Sequence, residues 1–133
     1  MNNQKRGKSF ENRWCRYLHS FGYWVHFLNP APNGAQPFDI IAVQNNKKDV
    51  PSILAMDCKT LSGSRFPINR AEENQLLSFR ALNAAGVNGT FFVIESKPGY
   101  VRWIPSWDVD RAMQKGEKSI SIEGYELVYF GVE

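Results

Sequence analysis

The spacing of apolar side chains predicts a series of helices and strands. Phe10, Trp14, Tyr17, Leu18 and Phe21 recur at helical intervals, and Gly22 is expected to end that helix. Runs rich in β-branched and aromatic residues predict strands over residues 23–27, 38–43, 53–60, 90–95 and 100–104, with a last edge strand over 125–130. Both kinds of element therefore occur along the whole chain.

Capping and breaking residues predict two further helices and several loops. Asn69 is expected to cap a helix that runs to about Ala85 and stops at Gly86, and Ser106 is expected to cap a short helix ending at Met113. Prolines and polar residues predict loops over residues 29–37, 44–52 and 61–68. We expect an α/β fold in which helices flank a mixed central sheet.

The first residues differ in character from the rest of the chain. Residues 1–8 are polar and basic and are predicted to form a mobile arm, which leaves residues 9–133 as a single domain. A chain of 133 residues with 43% apolar and 14% aromatic residues is long and apolar enough to bury one globular core.

The net charge and the pattern of cysteines restrict the possible partners and the cellular compartment of the protein only slightly. The formal net charge of +3 leaves polyanionic partners open. Cys15 and Cys58 lie far apart and outside any CxxC pair, which fits a reducing compartment and argues against a zinc ribbon. The N-terminal residues lack the apolar stretch of a signal peptide, and no run approaches membrane-spanning length, so we expect a soluble, cytoplasmic protein.

Two acidic residues in the middle strands are predicted to face each other. If these strands form an antiparallel hairpin centred on Lys48, Asp39 pairs with Asp57, and directly opposed side chains project from the same face of a sheet. Lys59 lies two residues beyond Asp57 and points to that face as well. Opposed carboxylates repel unless a proton or a cation lies between them.

This group of charges within apolar strands predicts a metal site. Two carboxylates with open water positions suit Mg²⁺ or Mn²⁺. Such an ion generates a hydroxide and stabilises charge on a phosphate, while Lys59 positions the water or helps to deprotonate it. The alternative is a semi-exposed ion pair between Asp39 and Lys59, with Asp57 at a solvated strand end.

Glu11 and Gln75 are further candidates for the same site. Glu11 flanks the apolar stripe of the first helix, from where its carboxylate can reach the end of the sheet. An ordinary surface glutamate near a helix N-terminus is equally compatible with that position. Gln75 lies within the apolar stripe of the second long helix, and a buried amide requires partners. It either completes the site or bonds the neighbouring backbone.

The chain resembles the RecU-type Holliday junction resolvases and their phage relatives through an ordered set of short motifs between roughly residues 7 and 105. The motifs are Gly7-Lys8-Ser9-Phe10-Glu11, Asn29-Pro30-Ala31-Pro32, Phe38-Asp39, Asp57-Cys58-Lys59, and Phe66-Pro67 followed by Asn74-Gln75. The resemblance implies a restriction-endonuclease-like (PD-(D/E)xK) core, a homodimer, and cleavage of branched DNA with a divalent metal.

The resemblance also implies a role for each candidate residue. Carried over by position, the metal ligands are Asp39 and Asp57, the catalytic lysine is Lys59, and the helix acid and helix glutamine are Glu11 and Gln75. We expect Glu11 and the backbone carbonyl of Cys58 to join the two aspartates as metal ligands.

The sequence departs from the family pattern at two places. Position 57 is aspartate where the family usually has glutamate, which shifts the expected position of the ion slightly. Only residues 33–37 stand where the family carries a long projecting insertion thought to engage the junction centre. The second departure bears on junction specificity rather than on nuclease chemistry.

Basic and small residues around these motifs are candidates for DNA contact. The loop that follows Lys59 is the best placed, because its small residues let backbone N–H groups approach a phosphate. The predicted contacts are Lys5, Arg6, Lys8, Arg13, Ser62, Ser64, Arg65 and Arg70, with Arg16, Lys47 and Lys48 as further basic candidates. Such contacts give salt-dependent affinity that is largely independent of sequence. For Lys47 and Lys48, plain solvation is the favoured interpretation.

Three functions are compatible with these residues. The leading hypothesis is a Mg²⁺-assisted endonuclease in DNA recombination or repair that cuts junctions as a homodimer, because two symmetric strands must be cut. A second hypothesis is a repair or restriction-like nuclease acting on duplex, flap or single-stranded DNA. The third is a non-enzymatic DNA-binding module on a nuclease fold, and the intact set of two acids and a lysine argues against it.

Overall fold

The chain folds around a mixed sheet of six strands. The computed structural model describes residues 3–28, 36–44 and 52–131, with side chains from Lys5 onward. The elements in chain order are α1 (Asn3–Ser20), β1 (Trp24–Phe27), β2 (Ile40–Val43), β3 (Ile53–Thr60), β4 (Arg65–Pro67), a 3₁₀ turn (Ile68–Arg70), α2 (Glu73–Ala84), β5 (Thr90–Lys97), β6 (Tyr100–Pro105), α3 (Ser106–Gln114), β7 (Ser119–Ser121) and β8 (Leu127–Tyr129).

The order of strands across the sheet is β1-β2-β3-β5-β6-β8. β3 and β5 run parallel, whereas the other neighbours pair antiparallel. Two parallel strands need a crossover connection, and α2 lies within the one that joins β3 to β5. β4 and β7 form a separate two-stranded sheet. The mixed sheet that the sequence predicts is therefore present.

Helices cover both faces of the sheet. On one face, Phe10 and Trp14 of α1 belong to the same buried cluster as Met56 of β3. On the other face, Phe79 of α2 packs in a second buried cluster with Phe92 of β5. Alternate strand residues point to opposite faces, which is why one strand contributes to both clusters. None of the described helices is long and apolar enough to cross a membrane.

Within the predicted arm over residues 1–8, the residues that the structure describes are helical, and the mobility of the arm stays a prediction. α1 begins at Asn3, so Lys5, Arg6 and Lys8 lie in its first turns. The extension has a physical cause, since the Arg6 guanidinium donates to the backbone carbonyls of Leu61 at 3.3 Å and Glu95 at 3.1 Å. Leu61 and Glu95 are far from Arg6 in sequence, so the local composition does not reveal these contacts.

Two other expectations about loops and caps need correction. The predicted loop over 61–68 contains β4, which pairs with β7, a strand that the apolar pattern did not indicate. Asn69 does not cap α2 but lies in the 3₁₀ turn before it. The N-cap is Glu72, whose backbone N–H and side chain form a reciprocal capping box with Gln75.

Several sequence predictions are confirmed. The first strand, the β2–β3 and β5–β6 hairpins, the short helix after Pro105 and the edge strand near the C-terminus are all present close to their expected bounds. Gly22, expected to end α1, has a φ of 89°, a conformation that glycine adopts without steric cost. Residues 29–35 and 45–51 of the predicted loops, including Lys47 and Lys48, lie outside the described residues.

A buried ion pair joins α1 to the sheet. The Arg13 guanidinium donates to both carboxylate oxygens of Glu95, at 2.7 and 3.2 Å, and the backbone N–H of Gly99 donates to the same carboxylate at 3.1 Å. The side chains of Arg13 and Glu95 are 12% and 1% exposed. Removing one partner from such a pair leaves a buried charge without a counter-ion. This lowers the free energy of unfolding far more than the loss of a surface pair does.

Arg13→Ala is therefore expected to lower the free energy of unfolding by about 3–5 kcal/mol, because Glu95 keeps its buried charge without a counter-ion. Urea denaturation followed by circular dichroism measures the change. The matched control is Arg111→Ala, since the exposed Arg111 pairs with Asp108 at 3.3 Å on the surface of α3, and its loss should cost less than about 1 kcal/mol. Equal losses in the two variants would contradict a structural role for the buried pair.

Candidate active site

The predicted hairpin register is present between β2 and β3. Ile40 lies opposite Met56, which is the register that brings Asp39 to Asp57. The ladder of backbone hydrogen bonds between β2 and β3 becomes irregular at Asp39. The Asp39 backbone N–H donates to the Met56 carbonyl at 3.1 Å. Its carboxylate Oδ2 accepts the next available N–H, from Cys58, at 2.8 Å. The Asp39 side chain thus replaces a ladder hydrogen bond at the end of the hairpin.

Asp57 is a fully buried carboxylate on β3. Its Oδ1 accepts a hydrogen bond from the Gln75 side-chain amide at 2.9 Å. The Lys59 ammonium lies 2.9 Å from Oδ2 and is 15% exposed. Among the described residues, no donor meets Oδ2 in hydrogen-bond geometry. One oxygen of Asp57 is therefore hydrogen-bonded, whereas the other is balanced only by a nearby charge.

Burial and a neighbouring acid favour the protonated form of Asp57. Burial raises the pKa of Asp57 from the ordinary 3.8 to about 8, and the negative charge of Asp39 adds to this rise. Lys59 lowers the pKa of Asp57, but by less than burial raises it. The direction of this shift favours one proton on the acid pair when no cation is bound. A cation that binds there displaces this proton, because metal ligands must be deprotonated.

Gln75 performs both of the roles that the sequence left as alternatives. Its Oε1 accepts the backbone N–H of Glu72 at 3.1 Å, which is half of the α2 capping box. Its Nε2 donates to Asp57 Oδ1. The side chain is almost completely buried. The same amide therefore fixes the start of α2 and the orientation of the buried acid.

Glu11 approaches the same group of charges from α1. It is half-buried, and its pKa is raised by burial first and by the charge of Asp39 second. Lys8 and Lys59 lower the pKa of Glu11 in turn. These effects place Glu11 within electrostatic range of Asp39 and Lys59, and its part in the site stays a prediction.

The donor set fits a small divalent cation. In the part of the chain that the structure describes, no three or more His, Cys, Asp or Glu side chains form a cage that could hold a metal ion, so Glu11 does not complete one with Asp39 and Asp57. Mg²⁺ does not need such a cage, because it binds through one or two carboxylates and keeps several waters. Asp57 Oδ2 is a buried oxygen with the Lys59 ammonium 2.9 Å away, and the carboxylate of Asp39 is close enough to raise the pKa of Asp57. Asp39 and Asp57 therefore suit the ion, whereas Glu11 and the Cys58 carbonyl stay predictions.

The whole fold resembles that of a known nuclease. No family model matches the sequence, and no curated protein matches it significantly. Among solved structures, the chain is similar to Archaeoglobus fulgidus Hjc, a Holliday junction resolvase from an archaeal hyperthermophile, with a TM-score of 0.61, 18% identity and 87% of each chain covered. The fold is restriction-endonuclease-like. The predicted fold class is thus confirmed, and the RecU-type affiliation stays a prediction.

Most of the arginines predicted to contact DNA have partners within the protein. Arg13 is committed to the buried Glu95, so the structure argues against it as a phosphate contact. Arg6 donates to backbone carbonyls of the core. Arg65 donates to the hydroxyl and carbonyl of Ser119 at 2.8 and 3.0 Å, and Arg70 donates to the Thr60 carbonyl. Arg6, Arg65 and Arg70 each use only part of their guanidinium group in these contacts.

The remaining predicted DNA contacts lie at the surface. Ser62 and Ser64 are exposed on either side of Gly63, which has a φ of 99°. Lys5 and Lys8 are exposed on α1, and the Lys8 ammonium lies 5.4 Å from the centre of the Phe27 ring. Their contact with DNA stays a prediction.

The sequence assigned no role to two polar residues near the site, Gln36, which was missed, and Asn74, which was quoted only as part of a motif. Gln36 Nε2 donates to Asp39 Oδ1 at 2.6 Å, and Asn74 Nδ2 donates to the backbone carbonyl of Gln36 at 2.6 Å. Gln36 lies in a proline-rich segment without periodicity, so its pattern gave no signal. Asn74 precedes Gln75, and the adjacency of two amides at the start of a helix was the available sign.

The raised pKa of Asp57 predicts a pH-dependent stability in the absence of metal. The unfolded chain releases the Asp57 proton near 3.8 and the folded chain near 8, so the folded state binds more protons between these values. Its contribution to stability is present below the lower value and is lost as pH rises through the higher one. Thermal unfolding in EDTA across this range should show the loss in the wild type.

Asp57→Asn is the comparison that isolates this contribution, because asparagine cannot ionise. The stability of the wild type relative to this variant should fall by a few kcal/mol in total as pH rises, at about 1.4 kcal/mol for each unit of pKa difference that is realised. A wild-type stability that parallels the variant at every pH would show that Asp57 ionises normally.

Proposed function

We propose that the protein is a divalent-metal-dependent DNA endonuclease that hydrolyses phosphodiester bonds in branched DNA, with Holliday junctions as the leading substrate. The observation that carries the proposal is the pair of carboxylates Asp39 and Asp57 with the Lys59 ammonium 2.9 Å from Asp57. The restriction-endonuclease-like fold shared with an archaeal resolvase supports the same reaction class.

The chain's own residues divide the work of hydrolysis. Asp39 and Asp57 would hold Mg²⁺ or Mn²⁺, which supplies Lewis acidity and a water of lowered pKa when bound. Lys59, held beside Asp57 and partly open to solvent, places a positive charge where a phosphate oxygen or the attacking water approaches. Glu11, whose pKa is raised in part by the charge of Asp39, would add a further negative charge near the ion.

Gln75 gives the site rigidity. Because its two ends bind the α2 cap and Asp57, the acid cannot rotate without breaking a buried hydrogen bond. A fixed carboxylate needs no reorganisation when charge develops on the phosphate. The fully buried position of Asp57 keeps that interaction out of bulk water.

Branched DNA is the leading substrate because two independent lines of reasoning favour it. The sequence motifs resemble RecU-type resolvases, and the fold is similar to that of Hjc, which is described as a Holliday junction resolvase. Symmetric cutting of a junction requires two sites, and we therefore propose that the protein acts as a homodimer. Fold likeness alone does not determine the substrate, which makes the substrate test decisive.

The decisive measurement compares Mg²⁺-dependent cleavage of a four-way junction with cleavage of matched duplex, flap and single-stranded DNA of the same sequence. We expect paired nicks in the junction at a rate at least about tenfold above the other substrates, because one dimer engages both strands. Equal or faster cutting of duplex or flap DNA would favour the repair or restriction-like alternative. Binding without cleavage under Mg²⁺ and Mn²⁺ would favour a DNA-binding module.

Asp39→Asn should lower the cleavage rate at least about a hundredfold, because the substitution removes a carboxylate ligand of the cation. Junction binding in Ca²⁺, measured by mobility shift, should persist. The matched control is Asp110→Asn on α3, where the acid pairs with Arg80 on the surface away from the two catalytic strands. Retained cleavage in the Asp39 variant would place the active site elsewhere.

A further inference from the structure

Two amide side chains connect the start of α2 to Asp39. Gln36 Nε2 donates to Asp39 Oδ1 at 2.6 Å. Asn74 Nδ2 donates to the backbone carbonyl of Gln36, also at 2.6 Å. Asn74 is itself fixed within α2, because Ser78 Oγ donates to its backbone carbonyl at 2.8 Å. A chain of hydrogen bonds therefore runs from α2 through Gln36 to the first acid.

The neighbouring residue of α2 reaches the other acid directly. Gln75 Nε2 donates to Asp57 Oδ1, while Gln75 Oε1 accepts the Glu72 N–H of the capping box. Asn74 and Gln75 are consecutive, so the first turn of one helix contacts both acids, one directly and the other through Gln36. The two acids belong to different strands, and the helix is a common reference for their positions.

We propose that Gln36, held in place by Asn74, is a positioning residue that orients the Asp39 carboxylate for the divalent cation. The inference rests on the proposed function and deepens it. The first turn of α2 then fixes the separation of the two acids, with Gln75 setting Asp57 and the Asn74–Gln36 chain setting Asp39.

The physical basis is the rotational freedom of a short carboxylate. The terminal torsion of aspartate is broad, so its two oxygens are not fixed by the rotamer alone. Here Oδ2 accepts the Cys58 N–H and Oδ1 accepts the Gln36 amide, which fixes the plane of the carboxylate at both ends. Each oxygen keeps a second lone pair for a cation. Outer hydrogen bonds of this kind typically contribute 10- to 100-fold to metal affinity.

A purely structural role for Gln36 makes a different prediction. In that case, its loss would reduce stability and leave the affinity for the metal unchanged. A positioning role affects the metal first, because a mobile Asp39 must be ordered again each time an ion binds. The two roles are therefore separated by measuring metal affinity apart from the rate at saturating metal.

The test uses the full chain with Gln36→Ala and with Gln36→Met, which keeps the side-chain volume without the amide. Mn²⁺ binding is followed by the EPR signal of the free ion. We expect both variants to raise the Mn²⁺ dissociation constant about tenfold, with the cleavage rate at saturating Mn²⁺ changed less than about threefold. An unchanged or lowered dissociation constant in the folded variants would overturn the proposal.

Gln114→Ala is the matched control. Gln114 is an exposed amide that donates to the carboxylate of Asp110 at 3.4 Å on α3, so its removal deletes the same kind of contact outside the site. Its Mn²⁺ dissociation constant should equal that of the wild type. A shift as large as that of the Gln36 variants would also overturn the proposal, since any lost amide would then have the same effect.

A double-mutant cycle tests the order of the chain. Asn74→Ala should raise the Mn²⁺ dissociation constant by no more than the loss of Gln36 does. The double variant Asn74→Ala, Gln36→Ala should bind Mn²⁺ no more weakly than Gln36→Ala alone, because both changes interrupt one series of contacts. Fully additive losses would contradict an action of Asn74 through Gln36.

Failure of this inference is distinguishable from failure of the proposed function. If the wild type neither binds Mn²⁺ nor cleaves DNA, the proposed function is wrong. If the wild type does both and the Gln36 variants keep wild-type affinity for Mn²⁺, only the positioning role is wrong.

Discussion

The site is organised around a carboxylate that has no contact with water. Burying an ionised group is costly unless charge and hydrogen bonds replace its hydration. Lys59 supplies the opposite charge from the same strand, and Gln75 supplies a hydrogen bond from α2. Both contacts to Asp57 are 2.9 Å long, so β3 and the start of α2 must keep their relative position. The need to compensate one acid thus couples a strand to the helix beside it.

A second buried acid has the same effect on the opposite face of the sheet. Glu95 lies at the end of β5 and is fully paired with Arg13 of α1 and the Gly99 backbone. Unlike Asp57, it has a bidentate partner, and its charge is balanced. Glu95 has a bidentate arginine and a backbone N–H as partners, whereas Asp57 Oδ2 has only the Lys59 ammonium beside it among the described residues. This difference agrees with a structural role for Glu95 and with the proposed functional role for Asp57.

The sequence predicts features that depend on local pattern or on one strand pairing. The hairpin register follows from the length of the connection between β2 and β3, which is why the sequence alone brings Asp39 and Asp57 together correctly. Features that depend on distant contacts were missed. The first turns of α1 are supported by Arg6 contacts to Leu61 and Glu95, and β4 exists only because β7 pairs with it.

The same distinction applies within the site. Gln75 was found because a polar residue interrupts an apolar stripe, and such an interruption is visible in the sequence. Gln36 was missed because its role depends on a contact with Asn74 of α2. No periodicity of apolar residues encodes that contact. The contact of Asn74 with a backbone carbonyl is not encoded by the residue at position 36, since any residue there would present the same acceptor.

The balance of charge around Asp39 and Asp57 bears on the phosphodiester substrate that we propose. Counted without Glu11 of α1, the charges of Asp39, Asp57 and Lys59 leave one negative charge in excess, and the raised pKa of Asp57 favours a proton there in the absence of a cation. A divalent ion in place of the proton reverses the sign and leaves one positive charge in excess. A phosphodiester carries one negative charge, so under the proposed function it would complete the balance of these charges. The acid pair thus favours a cation over a proton most strongly when the substrate is present.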